Sequence, residues 1–250
     1  MADSKTKPPV ICVLYVSRHN EMLEEYVRIM ALSADMDSCG SSSGTNPVHL
    51  QAARDLAAEL HKNNAQLVYG GGTFGLMGEL AKTLVSLSGP DAVYGYVPQG
   101  MVQLDKDRQG SNVITSSVTG KIERVIVDEQ TMDPEFGRVL LVPDLHTRKK
   151  AMAQKVLEGG QGSGFIALAG GFGTLEEVLE ISTWYQMKIH RQGVVLLNIN
   201  SYWDHVVAWV KNSTEEGFLS RASAGIIMDT TEVQSALGLL RDFEKNPPAF

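Results

Sequence analysis

Short apolar runs alternate along this chain with segments whose apolar positions recur every three or four residues. Residues 10–15, 65–69, 92–97, 164–168, 194–198 and 226–229 are brief apolar runs flanked by Gly, Pro, Asn or Asp, and predict buried strands. Residues 47–63, 76–88, 147–158, 174–188, 202–216 and 231–243 carry helical periodicity. In the first of these, Leu50, Ala53, Leu56, Ala57 and Leu60 form one stripe. Strands and helices in alternation with short connections predict an α/β fold, a doubly wound parallel sheet with helices on both faces. Ligands of such sheets lie at the carboxyl ends of the strands.

Three stretches depart from the alternation. Residues 99–144 are polar and irregular, with Gly110, Gly120 and Gly137, and read either as an excursion over the site or as a variable surface loop. Within them, 125–127 fits a strand or a helix end. The tail from Glu244, with Pro247 and Pro248, reads as loose. The whole chain, 1–250, fits one nucleotide-binding domain, with a suspected insertion at 15–38.

Composition narrows the function. With 43% hydrophobic and 20% charged residues, a sizeable core can form. A net charge of −7 argues against a general nucleic-acid surface, which needs a clustered basic face, but leaves room for a small anion in a local pocket. Two cysteines, Cys12 and Cys39, do not make a disulfide framework. No apolar run approaches the roughly 20 residues a bilayer span needs, and the polar start lacks a secretion signal's apolar core. A soluble, cytoplasmic protein without membrane contact is expected. Six histidines fall in no metal-ligand spacing, so no metal is expected.

The chemistry concentrates in four segments. In Phe165-Ile-Ala-Leu-Ala-Gly-Gly-Phe-Gly-Thr-Leu-Glu-Glu177 a buried strand ends in three glycines within four positions, and Thr174 opens a helix. Glycines let main-chain N–H groups approach a ligand, and the helix start adds unpaired donors and positive potential, which together suit a phosphate. Tyr69-Gly-Gly-Gly-Thr-Phe-Gly-Leu-Met-Gly78 follows the same logic but has neither the Lys-Ser/Thr of a Walker loop nor a dinucleotide fingerprint. Two such turns on neighbouring strands point to a mononucleotide. His146-Thr147-Arg148-Lys149-Lys150 places positive charge at a helix start, against the dipole, which is compatible with a nearby ligand anion or with a solvated basic turn. Arg148 is suited to bidentate contact with phosphate or ribose oxygens. Cys39-Gly-Ser-Ser-Ser-Gly44 fits a nucleotide-facing turn or a plain flexible loop.

Together these residues resemble the LONELY GUY family of cytokinin riboside 5′-monophosphate phosphoribohydrolases, long labelled lysine decarboxylases. The family signature, Pro-Gly-Gly-x-Gly-Thr-x-x-Glu, is met from Gly170 to Glu177, with Ala169 in place of Pro. Arg148-Lys149, the Cys-Gly-Ser-Ser turn and the Gly-Gly-Gly-x-x-Gly-Leu-Met-Gly run also match. The resemblance implies a Rossmann-like fold, a homodimer, no cofactor, and hydrolysis of cytokinin riboside 5′-monophosphates, with AMP alongside, to free base and ribose 5-phosphate. It implies Arg148 and Glu177 as the catalytic pair. As substrate contacts it implies Lys149, Gly170, Gly171, Phe172, Gly173, Thr174, Leu175, Glu176 and Thr183, with Asp105 a further acidic contact. The glycine turn and the hydroxyl-rich turn add Gly71, Gly72 and Ser42.

Those residue types fit the reaction. Breaking an N-glycosidic bond builds positive charge on the ribose. A carboxylate such as Glu177 stabilises that charge or activates water, Arg148 holds substrate oxygens in register, and phosphate binding anchors the sugar. A non-catalytic nucleotide-binding or sensing protein of the same fold is the alternative; it would keep both glycine turns but need neither Arg148 nor Glu177. An amino-acid decarboxylase would need a Schiff-base lysine, with only Lys149 and Lys150 near the turns. Deleting 15–38 joins Ile-Cys-Val-Leu to Cys-Gly-Ser-Ser as one strand and turn. The segment therefore reads as translated intron sequence or as a surface insertion, with Leu23, Val27 and Met30 forming one turn-rich helix.

Overall fold

The computed structural model describes residues 7–14, 44–99, 103–106, 112–115, 122–126 and 130–248. Ser42 and the suspected insertion lie outside the described residues, as does Tyr15 at the end of the first predicted strand. Among the described residues no helix is long and apolar enough to cross a membrane.

The strands are β1 (Val10–Leu14), β2 (Gln66–Tyr69), β3 (Val93–Pro98), β4 (Gln103–Lys106), β5 (Asn112–Thr115), β6 (Ile122–Ile126), β7 (Gln130–Asp133), β8 (Gly137–Val142), β9 (Gly164–Ala167), β10 (Val194–Leu197) and β11 (Ile227–Thr230). The helices are α1 (Val48–Lys62), α2 (Gly75–Ser88), α3 (Leu145–Leu157), α4 (Phe172–Gln186), α5 (Asp204–Glu215), α6 (Arg221–Ala224) and α7 (Ala236–Lys245). The main sheet runs β11-β10-β9-β1-β2-β3-β8-β7, parallel except for the last pair, which is the expected doubly wound α/β architecture. β1 is buried at every position, as a strand covered on both faces must be.

Alternation along the strands divides the core. Ile11, Val13, Leu67 and Tyr69 face Leu56 and Leu60 of α1 and Leu80 and Leu84 of α2. Cys12, Leu14, Phe165 and Ala167 face Met152 and Val156 of α3 and Val178 and Ile181 of α4. The starts of α3 and α4 are thus brought side by side over one face. The chain leaves β1 toward β2, β3 and β8, then returns to β1's other side with β9, so β1 marks the point where strand order reverses.

The stretch 99–144 corrects the sequence reading. Its described residues hold five strands: β4, β5 and β6 form a separate antiparallel sheet, while β8 pairs in parallel with β3 and antiparallel with β7. β8 was masked by its neighbours, since Asp133 and Glu135 precede it and Arg138 within it donates to Asp91 at 2.9 Å. Residues 122–126 are strand, so 125 and 126 of the stretch left open at 125–127 are strand, and 127 lies outside the described residues. The last helix also differs: it starts at Ala236 after a 3-10 turn at Val233–Ser235 and runs to Lys245. Glu244 is therefore helical, and it accepts the Gly162 N–H at 2.8 Å.

The helix predicted from Tyr202 starts at Asp204. Ahead of it the 3-10 turn Ile199–Ser201 carries two consecutive left-handed residues, Asn200 (φ 55°) and Ser201 (φ 60°). Asparagine tolerates this region; serine pays about 1–2 kcal/mol there. Glycine removes that strain but adds unfolded-chain entropy. Ser201→Gly also removes the hydroxyl that hydrogen-bonds the Asp204 carboxylate, so the effects nearly cancel and the melting temperature is expected to stay within about 2 °C of the parent's.

Candidate active site

The first glycine turn leaves β2 and the second leaves β9, and β1 lies between them. The two turns are therefore not on neighbouring strands, as the sequence reading had it, but flank β1's carboxyl end at the reversal point. Gly71 has φ 76°, and a Cβ there would lie 2.3 Å from Val97 Cγ2; a Cβ on Gly78 would lie 2.0 Å from the Thr73 carbonyl oxygen. Both positions need glycine for backbone packing. Gly171 is different: a Cβ built on it meets nothing within 4 Å. The second turn therefore borders open space.

Helix α4 starts at Phe172, two residues ahead of the predicted Thr174, with Gly171 as its N-cap. Thr174 is consequently inside the first turn and fully buried, while Phe172 is 79% exposed. The first turn of this helix is thus built from the glycine turn itself. Helix α3 starts at Leu145 and is capped by Asp144, whose carboxylate accepts the Thr147 N–H at 2.7 Å. That backbone hydrogen bond holds Asp144 below the usual carboxylate range. The cap, overlooked in the sequence, offsets part of the cost of cations at this helix start. An Asp just ahead of an apolar-periodic segment was the available signal.

Arg148 Nη2 donates to Glu177 Oε1 at 2.9 Å, and both side chains are only 3% exposed. A methyl placed on Gly70 would sit 3.3 Å from Arg148 Nη1, so the guanidinium lies beneath the first glycine turn. The pair is thus held by α3 and α4 next to both turns. Arg148 Nε and Glu177 Oε2 are buried with no hydrogen-bond partner. Burial pushes the Glu177 carboxyl up to about 7, and the Arg148 charge only partly opposes it. Cys12 on β1 feels both groups: burial first, then the Glu177 carboxylate, raise its thiol well above the ordinary value.

Lys149 binds sideways to α4, with Nζ 2.7 Å from Glu176 Oε1 and 2.9 Å from Glu180 Oε2. Burial lowers its pKa, but those two carboxylates outweigh it, and the net shift is upward. Glu176 is the more exposed of the two adjacent glutamates and Glu177 the buried one. Thr183 is not brought to the pair: six residues on from Glu177, it is exposed, and its hydroxyl donates to the Leu179 carbonyl at 2.8 Å. Asp105 lies on β4 in the separate sheet, with only its backbone described. Tyr185 is core, Trp184 is half-buried, and Met187 is 66% exposed. Among the described residues no group of His, Cys, Asp and Glu could hold a metal ion.

The pattern of a protein family described as "Possible lysine decarboxylase" matches residues 95–240. A "Probable cytokinin riboside 5′-monophosphate phosphoribohydrolase LOGL3" from Oryza sativa subsp. japonica is 37% identical over 205 residues, 82% of this chain and 82% of that protein. The chain belongs to the LONELY GUY family. The Arabidopsis thaliana "Cytokinin riboside 5′-monophosphate phosphoribohydrolase LOG7" is 34% identical over 212 residues, 85% of this chain and 81% of that protein. A "Bifunctional cytokinin biosynthesis protein" from Fusarium pseudograminearum is 40% identical over 208 residues, where this chain spans 83% of itself and 39% of that longer protein. Among solved structures, the molybdenum cofactor carrier protein from Chlamydomonas reinhardtii superposes with a TM-score of 0.52 over 96% of this chain and 100% of that chain, at 16% identity. The molybdenum cofactor binding protein from Rippkaea orientalis does so at 0.52 over 96% and 99%, with 14% identity. At that identity they share the LONELY GUY fold and nothing finer.

Proposed function

We propose that this chain hydrolyses the N-glycosidic bond of cytokinin riboside 5′-monophosphates, and of AMP, to the free base and ribose 5-phosphate. The observation that carries the reading is the buried Arg148–Glu177 pair at 2.9 Å, set at the sheet's reversal point between two glycine turns. The names of the plant relatives support the same reaction.

The N–H groups of the turn from Gly170 to Gly173 hold the phosphate, and the ribose lies over the pair. As the C1′–N bond breaks, its electrons leave with the base, which gains a proton; water adds to C1′ and loses one. Ionised Glu177 faces the positive charge building on the ribose or takes the water's proton. Arg148 keeps that carboxylate oriented and reaches substrate oxygens with the nitrogen it does not spend on Glu177. Lys149, Glu176, Leu175 and Thr174 frame the turn. The buried carboxyl held against Arg148 at 2.9 Å favours catalysis over the sensing alternative, which would need neither residue. A decarboxylase needs a lysine with a lowered pKa; Lys149 is shifted the other way. A homodimer belongs to the same proposal, with the exposed Met187 and Ile189 past the end of α4 as apolar surface for a second copy.

Product analysis after incubation with AMP and with N6-isopentenyladenosine monophosphate tests the reading: free base and ribose 5-phosphate are expected, and nucleotide that binds intact would end it. Gly171→Ala separates turn from scaffold. With φ −94° and nothing near the new methyl, stability should change by less than about 0.5 kcal/mol. The methyl fills space reserved for phosphate, so kcat/KM should fall by about tenfold or more.

A further inference from the structure

Tyr202 sits just beyond β10, in the turn that contains the left-handed Asn200 and Ser201. Its hydroxyl donates to the carbonyl oxygen of Gly170 at 2.5 Å, a contact that spans 32 residues of sequence. The ring is gripped on two sides. His49, in the first turn of α1, meets it edge-on at 5.6 Å, and Trp203 meets it at 4.9 Å and 90°. The turn is itself tied down, since Asn198 accepts the Trp203 N–H at 2.7 Å and donates to Asp204 at 2.8 Å. A strained, cross-braced turn thus exists with its tyrosine aimed at the glycine turn.

The carbonyl of Gly170 and the N–H of Gly171 belong to one planar trans peptide and point in opposite directions. Fixing the oxygen therefore fixes the N–H. Glycine on both sides of that peptide leaves its rotation soft, so an outside restraint matters more here than at an ordinary residue. Accepting a hydrogen bond at the oxygen also polarises the peptide and strengthens its N–H as a donor. A Cβ built on Gly171 would meet nothing within 4 Å, so the turn that carries this donor borders open space.

We infer that Tyr202 is a positioning residue: its hydroxyl sets the direction of the Gly171 N–H that receives the substrate phosphate, a role resting on the function proposed above. The test is affinity for AMP, ribose 5-phosphate and free adenine by calorimetry, with KM and kcat for AMP, in the intact protein, Tyr202→Phe and Tyr202→Leu. Tyr202→Phe keeps the ring and its contacts and loses only the hydroxyl. It should weaken AMP and ribose 5-phosphate binding about tenfold, with KM rising alike, kcat within about twofold, adenine binding unchanged and the melting temperature within about 2 °C. Tyr202→Leu should reproduce the phosphate defect and lose stability as well. Unchanged ribose 5-phosphate binding in Tyr202→Phe, or an equal loss for adenine, overturns the inference. A parent protein that binds AMP but releases no base would instead overturn the proposed hydrolysis, and the Tyr202→Phe affinities would still decide the positioning role.

Discussion

Glu177→Gln is expected to lower kcat by roughly a thousandfold, the scale of losing a positioned general base or charge stabiliser, while AMP still binds. Gln keeps the shape and an oxygen for Arg148 but cannot carry the charge. In the parent protein the carboxyl titrates at about 7, so kcat/KM should rise with pH through an apparent pKa near 7 if the ionised form is the working one. The residual activity of Glu177→Gln should lack that limb and keep only the phosphate ionisation near 6. A rate that falls as pH rises through 7 would make Glu177 an acid and overturn the assignment. Stability runs the other way. A carboxyl raised from 4.5 to about 7 holds its proton more tightly in the folded than in the unfolded chain. Its contribution is therefore fully present below pH 4.5 and is lost as pH rises through 7, by about 1–3 kcal/mol. Glu177→Gln should escape that loss and be more stable than the parent at pH 8, measured by denaturant unfolding. A variant less stable than the parent at pH 8 would mean that the ion pair, not burial, governs this carboxyl.

Most of the sheet and the Arg148–Glu177 pairing at the candidate site were legible in the sequence, the sheet for a reason particular to parallel sheets. β1, β9 and β10 are buried on both faces and read as unbroken apolar runs. The turn from Gly170 to Thr174 is short and glycine-rich, and that pattern is local in the sequence. What stayed hidden depended on partners far away in sequence. β8 is apolar, but only its pairing with β3 distinguishes it from a loop among acidic residues. Lys149 looked free to meet substrate, because its ties to Glu176 and Glu180 cross from one helix to the next. Thr183 shares a helix with Glu177, yet helical geometry turns it away from the pair. Tyr202 bore no signal at all, since its link to Gly170 exists only once β10 lies beside β9.

Arg148→Ala should cost more than Glu177→Gln, because it fails twice. The variant loses the group that orients substrate and carboxylate. It also removes the charge that holds Glu177 down against burial, so the carboxyl moves further up and is protonated at neutral pH. Activity at pH 7 should fall by more than about a thousandfold, and the rising limb of kcat/KM should shift to higher pH. Arg148→Lys supplies charge without the planar fork, so it should hold the limb nearer its place while still losing about a hundredfold. Removing a side chain that is 3% exposed, beneath Gly70, leaves a cavity and an uncompensated carboxylate. At pH 8 the expected loss of stability is about 2–5 kcal/mol, and it should shrink at pH 5, where Glu177 is neutral with or without its partner. A destabilisation independent of pH would show that the cavity dominates. An unmoved limb would show that the guanidinium does not control the carboxyl it touches, and the two residues would then act separately rather than as one unit.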